Sequence, residues 1–366
     1  MQLQRVIISG GGTGGHIFPA IAIADALKES HPSIEILFVG ANGKMEMEKV
    51  PAAGYKIEGL NISGLQKKLD IKNLVLPFKI VRAVNAAGKI IKRFQPQVAI
   101  GVGGYASAAV VYAAGKRKVP VLIHEANSFP GKTNRYLAKY ANTICVSYPD
   151  MEMHFDKNKI VYTGNPIRKN IEQNKFSREQ GINHFGLNPE QKTVLIIGGS
   201  QGALGINEGV KASLELFHQN NIQVIWQTGK FYFPIAKSIT EEKKYTNIHP
   251  MEFIEKMNFA YSAADLAISR AGAMSVSELC ICGKPSIFIP LPTAAEDHQT
   301  KNAMSLVNKN AAVLVKNSEA LSELGKQTVA LLKDENKLLQ LTANIHKFAT
   351  YDAAAVIASE VLKLVK

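Results

Sequence analysis

Cysteine is scarce: Cys145, Cys280 and Cys282 are the only three in 366 residues, and they form no CxxC pair. That excludes a disulfide framework, and Cys280-x-Cys282 is too close for an ordinary zinc pair. All three stand in apolar surroundings, as reduced core cysteines do. Acidic residues are also under-represented, 30 against 43 basic ones, which leaves a formal charge of +13 at pH 7. No Asp-x-Asp pair is available to hold a divalent ion, so the expectation is a chemistry without a metal or other cofactor. Long apolar runs are missing as well. The uncharged stretch 98–115 is divided by Gly101, Gly103 and Gly104 into a strand, a loop and a helix, so no transmembrane segment is expected. The first dozen residues hold one basic residue, a short apolar run and then glycines, which is not the pattern of a secretory signal.

What is present suits a two-domain globular protein. The length fits two domains of roughly 150–180 residues, and 46% hydrophobic with 20% charged residues is a globular composition. The excess positive charge calls for an anionic partner: nucleic acid, an acidic lipid surface or a phosphorylated substrate. Strand-like runs at 5–9, 35–39, 56–60, 98–101, 121–123 and 143–146 alternate with helical spacing, beginning with a helix from about Ile17 whose first turn holds Pro19. That alternation predicts a parallel sheet with helices on both faces. Gly164-Asn165-Pro166-Ile167-Arg168 reads as a linker, after which the pattern restarts at 193–197. Helical spacing is also read at 253–264. The predicted fold class is α/β, two Rossmann-like doubly wound domains, 1–164 and 165–349.

The stretch from Ser269 to Gln299 concentrates polar groups suited to a nucleotide sugar. A strand ends at Ser269, and a helix starts after Gly272 and runs to Cys282. Its free backbone N–H groups and positive dipole end suit a diphosphate without a lysine. Glu278 lies roughly 7–8 Å further along that helix at 1.5 Å per residue, a reach that suits two ribose hydroxyls. The next strand leads through Pro290 and Pro292 to Glu296, Asp297, His298 and Gln299, polar groups able to read sugar hydroxyls.

Two nucleotide motifs fail on inspection. Gly10-x-Gly12-x-x-Gly15 follows a strand and matches the dinucleotide fingerprint, but the second strand ends in Val39-Gly40-Ala41-Asn42, with no acid for an adenosine ribose. Residues 126–133, ANSFPGKT, approach a P-loop but have Ala126 where its first glycine belongs and a proline at 130, which removes an amide from the phosphate nest.

Taken in order, GGGTGGHIFPA at 10–20, GGYAS at 103–107, HEANSFPGKTNR at 124–135, GNPIR at 164–168, GGSQGA at 198–203 and the 269–299 stretch resemble the GT-B glycosyltransferases of bacterial cell-wall synthesis. The resemblance covers nearly the whole chain. It implies two domains facing a cleft, a last helix within 350–366 packing back on the first domain, and inverting transfer of N-acetylglucosamine from UDP-N-acetylglucosamine to the C4 hydroxyl of a lipid-linked muramyl-pentapeptide. That step belongs to the cytoplasmic face of the inner membrane. By position it implies that Thr13, Gly14 and Gly15 approach the transferred sugar and diphosphate and that Asn127 binds the N-acetylglucosamine. Arg168 and Ser200 contact the diphosphate, Ile254 faces the uracil, Glu278 holds the ribose and Gln299 the sugar.

Such a transfer needs a base for the acceptor hydroxyl and charge stabilisation on the leaving diphosphate. His16, at a helix start where the dipole disfavours imidazolium, and Glu125 are the two candidate bases. Residues 64–94 interleave Lys67, Lys68, Lys72, Lys79 and Arg82 with apolar side chains. That pattern fits either an anionic membrane surface, which with Tyr105 would form the acceptor side, or a packed helix with a basic solvated face. The alternatives are a UDP-sugar 2-epimerase on a similar fold, another GT-B glycosyltransferase, or a basic scaffold on membrane or nucleic acid with a dead nucleotide fold. The primary reading expects no nucleic-acid partner.

Overall fold

The computed structural model describes residues 3–62, 76–199 and 201–365. The chain divides into two compact units, one of Met1–Arg168 with Asp352–Lys366, the other of Lys169–Tyr351.

Unit 1 runs β1 (Arg5–Ser9), α1 (Gly14–Ser30), β2 (Glu35–Ala41), α2 (Glu46–Ala52), β3 (Lys56–Leu60), α3 (Leu76–Phe94), β4 (Val98–Gly101), α4 (Tyr105–Lys116), β5 (Val121–Glu125), α5 (Lys132–Leu137), β6 (Thr143–Val146) and β7 (Ile160–Tyr162). Its parallel sheet has the order β3-β2-β1-β4-β5-β6-β7. Ile7 faces a core with Ala87, Ile91 and Val110, whereas its neighbours Val6 and Ile8 face another with Ile17, Ile23 and Leu27. A strand buried on both faces explains the unbroken VII and AI runs in place of alternation.

Unit 2 runs α6 (Lys169–Glu172), α7 (Arg178–Phe185), β8 (Thr193–Ile197), α8 (Leu204–Gln219), β9 (Gln223–Gln227), α9 (Phe233–Glu242), β10 (Ile248–Met251), α10 (Met257–Ala263), β11 (Leu266–Ser269), α11 (Ala273–Ile281), β12 (Ser286–Phe288), α12 (His298–Val307), β13 (Val313–Leu314), α13 (Ala320–Lys333) and α14 (Glu335–His346). Its sheet, also parallel, has the order β10-β9-β8-β11-β12-β13. A last helix, α15 (Ala353–Lys363), returns to unit 1, where Ile357, Ala358 and Val361 are buried with α1 side chains.

Two sequence expectations need correction. The first helix begins at Gly14, with Thr13 at its N-cap, so His16 lies inside its first turn and Pro19 lies beyond it. The Pro19 ring removes the N–H that would have bonded the Gly15 carbonyl. Helical spacing read over 253–264 resolves into the end of a loop and a shorter helix, α10, leaving Ile254 in the loop after β10. β10 and β7 are short edge strands; Pro250 is tolerated in β10 because an edge strand pairs on one side only.

Candidate active site

In each sheet the order reverses once, between β1 and β4 in unit 1 and between β8 and β11 in unit 2. Loops at the carboxyl ends of the strands flanking such a reversal border a crevice where open α/β sheets bind ligands. Those loops hold the GGGTGG and GGY motifs in the first unit, and GGSQGA and RAG in the second.

In unit 1 the two loops are tied together. The Gly11 N–H donates to the Gly103 carbonyl (3.3 Å), and a Cβ on Gly104 would come within 2.5 Å of the Gly11 carbonyl oxygen. Gly104 also has φ +90°, so both space and backbone require glycine there. His16 Nδ1 is 3.0 Å from the Gly11 carbonyl. A carbonyl only accepts, so Nδ1 carries a proton, and in the neutral form of the ring the lone pair is on Nε2. Thr13 makes no side-chain capping bond, and Tyr105, the first residue of α4, is half exposed.

Glu125 is placed very differently. Its carboxylate is buried at 3% exposure and accepts from the Asn127 N–H (3.0 Å), Asn127 Nδ2 (3.2 Å), the Gly131 N–H (3.2 Å) and Asn134 Nδ2 (2.8 Å). Four donors on one carboxylate organise the loop that carries Asn127. Beside it, burial lowers the His124 imidazole to about 4, and its Nε2–H donates to the Gly164 carbonyl (3.2 Å). Asn165 Nδ2 donates to the Ala126 carbonyl (3.0 Å), so residues 164–165 are fastened to the β5 loop.

In unit 2, α11 has Gly272 at its N-cap and no side-chain cap, leaving its first backbone N–H groups directed at the loop. Arg270 Nη1 donates to the Ile289 (2.8 Å) and Pro290 (3.1 Å) carbonyls, and Asn302 Nδ2 to the Ala271 carbonyl (3.2 Å), bracing the loops after β11 and β12. Burial lowers the Arg270 pKa from its ordinary value, yet a guanidinium stays charged. Gln299 Oε1 accepts the Leu291 N–H (2.9 Å). Gln227, itself buried, donates from Nε2 to the Gly199 carbonyl (2.9 Å) and accepts the Ile254 N–H at Oε1 (3.1 Å). A cavity of about 330 Å³ lies beside Ile254, lined also by His184, Phe253 and Lys256. Glu278, expected to hold the ribose, is 7% exposed and accepts the Tyr261 hydroxyl (2.9 Å).

The expected residues divide between the units: Thr13 to His16, Tyr105, Glu125 and Asn127 belong to the first, and Ile254, Glu278 and Gln299 to the second. Arg168 is exposed and closes unit 1. Ser200, Lys67, Lys68 and Lys72 lie outside the described residues.

Sequence reasoning missed Arg270, Gln227 and Glu46. Glu46, the first residue of α2, is fully buried; its Oε2 accepts the Gly12 N–H (2.9 Å) and its Oε1 the Ala41 N–H (3.0 Å). Its only signal is indirect, in Gly11 and Gly40, where an added Cβ would collide with the Glu46 side chain. A carboxylate already engages the first glycine loop, whereas the RAG loop has a guanidinium and an open helix start. The second loop is therefore the better suited of the two to an anion.

Residues 6–146 match the glycosyltransferase family 28 N-terminal domain, and residues 193–357 its C-terminal domain. The chain is 52% identical over 361 residues to the UDP-N-acetylglucosamine--N-acetylmuramyl-(pentapeptide) pyrophosphoryl-undecaprenol N-acetylglucosamine transferase of Phocaeicola vulgatus, covering 98% of this chain and 96% of that one. It is 46% identical to the enzyme of the same name from Parabacteroides distasonis, covering 100% and 99%. Among solved structures, the MurG protein of Acinetobacter baumannii superposes with a TM-score of 0.80 at 27% identity, covering 98% of this chain and 99% of that one. With both family domains matched in order and relatives about half identical from end to end, the chain belongs to glycosyltransferase family 28.

Proposed function

We propose that this chain transfers N-acetylglucosamine from UDP-N-acetylglucosamine to the C4 hydroxyl of undecaprenyl-diphospho-muramoyl-pentapeptide, with inversion at the sugar. The observation that carries this is the similarity to transferases of that name along almost the full length of both chains.

In the mechanism His16 is the base. Its Nδ1–H is engaged by Gly11, so Nε2 accepts the proton of the acceptor hydroxyl. The hydroxyl oxygen bonds to the anomeric carbon as the bond from that carbon to the diphosphate oxygen breaks. UDP leaves with the electron pair, and the imidazolium then returns its proton to solvent. Glu125 is the poorer base, because its carboxylate already accepts four hydrogen bonds; it shapes the loop on which Asn127 binds the sugar. The start of α11, Arg270, Arg168 and Ser200 stabilise the leaving diphosphate. Ile254 faces the uracil, Glu278, oriented by Tyr261, holds the ribose, and Gln299 reads the sugar. Thr13, Gly14 and Gly15 approach the transferred sugar more than the diphosphate, since Glu46 opposes a second anion beside Gly12.

The acceptor side includes Tyr105 and the basic segment with Lys67, Lys68 and Lys72, held on an anionic lipid surface at the cytoplasmic face of the membrane. Support comes from the first turns of α3, where Phe78, Ile80 and Val81 are exposed beside Lys79 and Arg82. Among the described residues no helix is long and apolar enough to cross a membrane.

The test is UDP release from UDP-N-acetylglucosamine by the purified protein, with and without the lipid-linked acceptor. Acceptor-dependent release with a disaccharide product is expected. Consumption of the donor without acceptor would sink the transferase reading in favour of an epimerase or hydrolase.

A further inference from the structure

Glu46 has so far only opposed a second anion beside Gly12 and has no place in the proton transfer, yet it is a fully buried carboxylate bonded to the loop that leads into the base. What it touches gives it one. Oε2 accepts the Gly12 N–H at 2.9 Å, and His16 Nδ1 donates to the Gly11 carbonyl at 3.0 Å. The Gly12 N–H and the Gly11 C=O are the two polar ends of a single peptide group, which is planar and trans, so they point in opposite directions. Carboxylate, peptide and imidazole therefore form one chain of two hydrogen bonds.

We propose that Glu46 is a positioning residue for the transfer reaction, orienting and polarising His16 through the Gly11–Gly12 peptide. Hydrogen bonds in such a chain strengthen one another, by roughly 10–30% per bond. A carboxylate on the N–H makes the Gly11 carbonyl a better acceptor, holds the proton on Nδ1 and leaves Nε2 as the basic nitrogen. When Nε2 takes the acceptor proton, the negative charge of Glu46 lies in line with the new imidazolium. A carboxylate that bonds a catalytic histidine directly fixes its tautomer and orientation in the same way; here one peptide stands between them.

The surroundings are built for this carboxylate. Oε1 accepts the Ala41 N–H at 3.0 Å, so both oxygens have a backbone donor. Gly11 and Gly40 leave the volume it fills: a Cβ at Gly40 would lie 2.6 Å from Glu46 Cγ. The chain begins α2 and meets the loop just before α1, and the positive ends of two helix dipoles favour an anion there. On the far side Gly103 gives the ring its room, since a Cβ there would be 2.7 Å from His16 Nε2.

The inference rests on His16 as base, and the test separates the two. Nitrogen-15 NMR of the histidine-labelled full chain reads which ring nitrogen of neutral His16 carries the proton, independently of turnover. The wild type is expected in the Nδ1–H form. Glu46→Gln, close in size but uncharged and with one acceptor oxygen, is expected to move His16 toward the Nε2–H form. It should lower kcat by about tenfold while the donor KM stays within about twofold, because the proposed uracil and ribose contacts are in unit 2. Gly40→Ala, which keeps the charge but displaces the side chain, is expected to shift the tautomer the same way. An Nε2–H tautomer in the wild type overturns the proposal without any variant. So does an unchanged tautomer in a folded Glu46→Gln protein, or a fall in kcat matched by an equal rise in KM. If the tautomer moves as expected but His16→Ala retains wild-type kcat, the base assignment fails and the Glu46–His16 linkage stands.

Discussion

Two neighbouring residues at the end of β5 show how burial divides labour between similar groups. His124 is buried and held neutral, its pKa lowered to about 4 by burial, with Nε2–H committed to the Gly164 carbonyl. A histidine depressed in the folded state stabilises above its unfolded pKa near 6.5 and loses that contribution as pH falls toward the folded value. Between about pH 6.5 and 4 the unfolded chain therefore binds the extra proton, and stability should drop by roughly 3 kcal/mol from this group alone. Urea unfolding of the wild type and His124→Gln at pH 7.5 and 4.5 checks this, with a smaller loss on acidification expected for the variant. Glu125, by contrast, keeps its charge usable only as a loop anchor. Glu125→Ala should strip four donors of their acceptor and destabilise by about 2–4 kcal/mol, measured in the same titration. An unchanged unfolding midpoint would mean the loop does not depend on it.

At the scale of elements, α3 is two structures in one helix. Ala83, Ala87, Ile90 and Ile91 are core, whereas Phe78, Ile80 and Val81 point outward beside Lys79 and Arg82. If those first turns dock on lipid, Lys79→Glu with Arg82→Glu should weaken sedimentation with anionic vesicles by about tenfold or more at low salt, at about 1 kcal/mol per charge. The effect should fade as salt is raised. Stability should move by no more than about 0.5 kcal/mol, since both side chains are exposed. Binding that survives the charge reversal counts against the membrane face. The sequence pattern made the strands of both sheet centres legible, because β1, β4, β5 and β8 are buried on both faces and read as unbroken apolar runs. The glycine loops after β1, β4 and β8 were equally plain, and at Gly104 and Gly202 any added Cβ would run into backbone. Edge strands β7 and β10 were not, being three and four residues long and, in β10, carrying a proline. Nor was Glu46: its partners are the amides of Gly12 and Ala41, and a bond to backbone leaves no mark on the identity of the residue that donates it. The same holds for Gln227 and Arg270, both of which bond carbonyls.

For the whole molecule, unit 1 is not a continuous piece of chain. Ile357, Ala358 and Val361 of α15 fill the same core as Ile17, Ile23 and Leu27 of α1. Ile357→Ala should cost about 2–5 kcal/mol and lower the unfolding midpoint of unit 1, read by loss of the His16 NMR signal. UDP binding, which the proposed function places in the second unit, should survive; simultaneous loss of both would mean that the units melt as one. The order of synthesis adds a constraint. On the ribosome, residues up to Arg168 emerge long before α15, with all of unit 2 made in between. At ~5–20 residues per second the interval is roughly 10–40 s. Throughout it the apolar face of α1 that α15 later covers has no helix against it, so the nascent first domain waits in a sticky, incomplete state while the second is free to fold. Chaperone capture of stalled nascent chains should accordingly peak for lengths between the end of unit 1 and the start of α15.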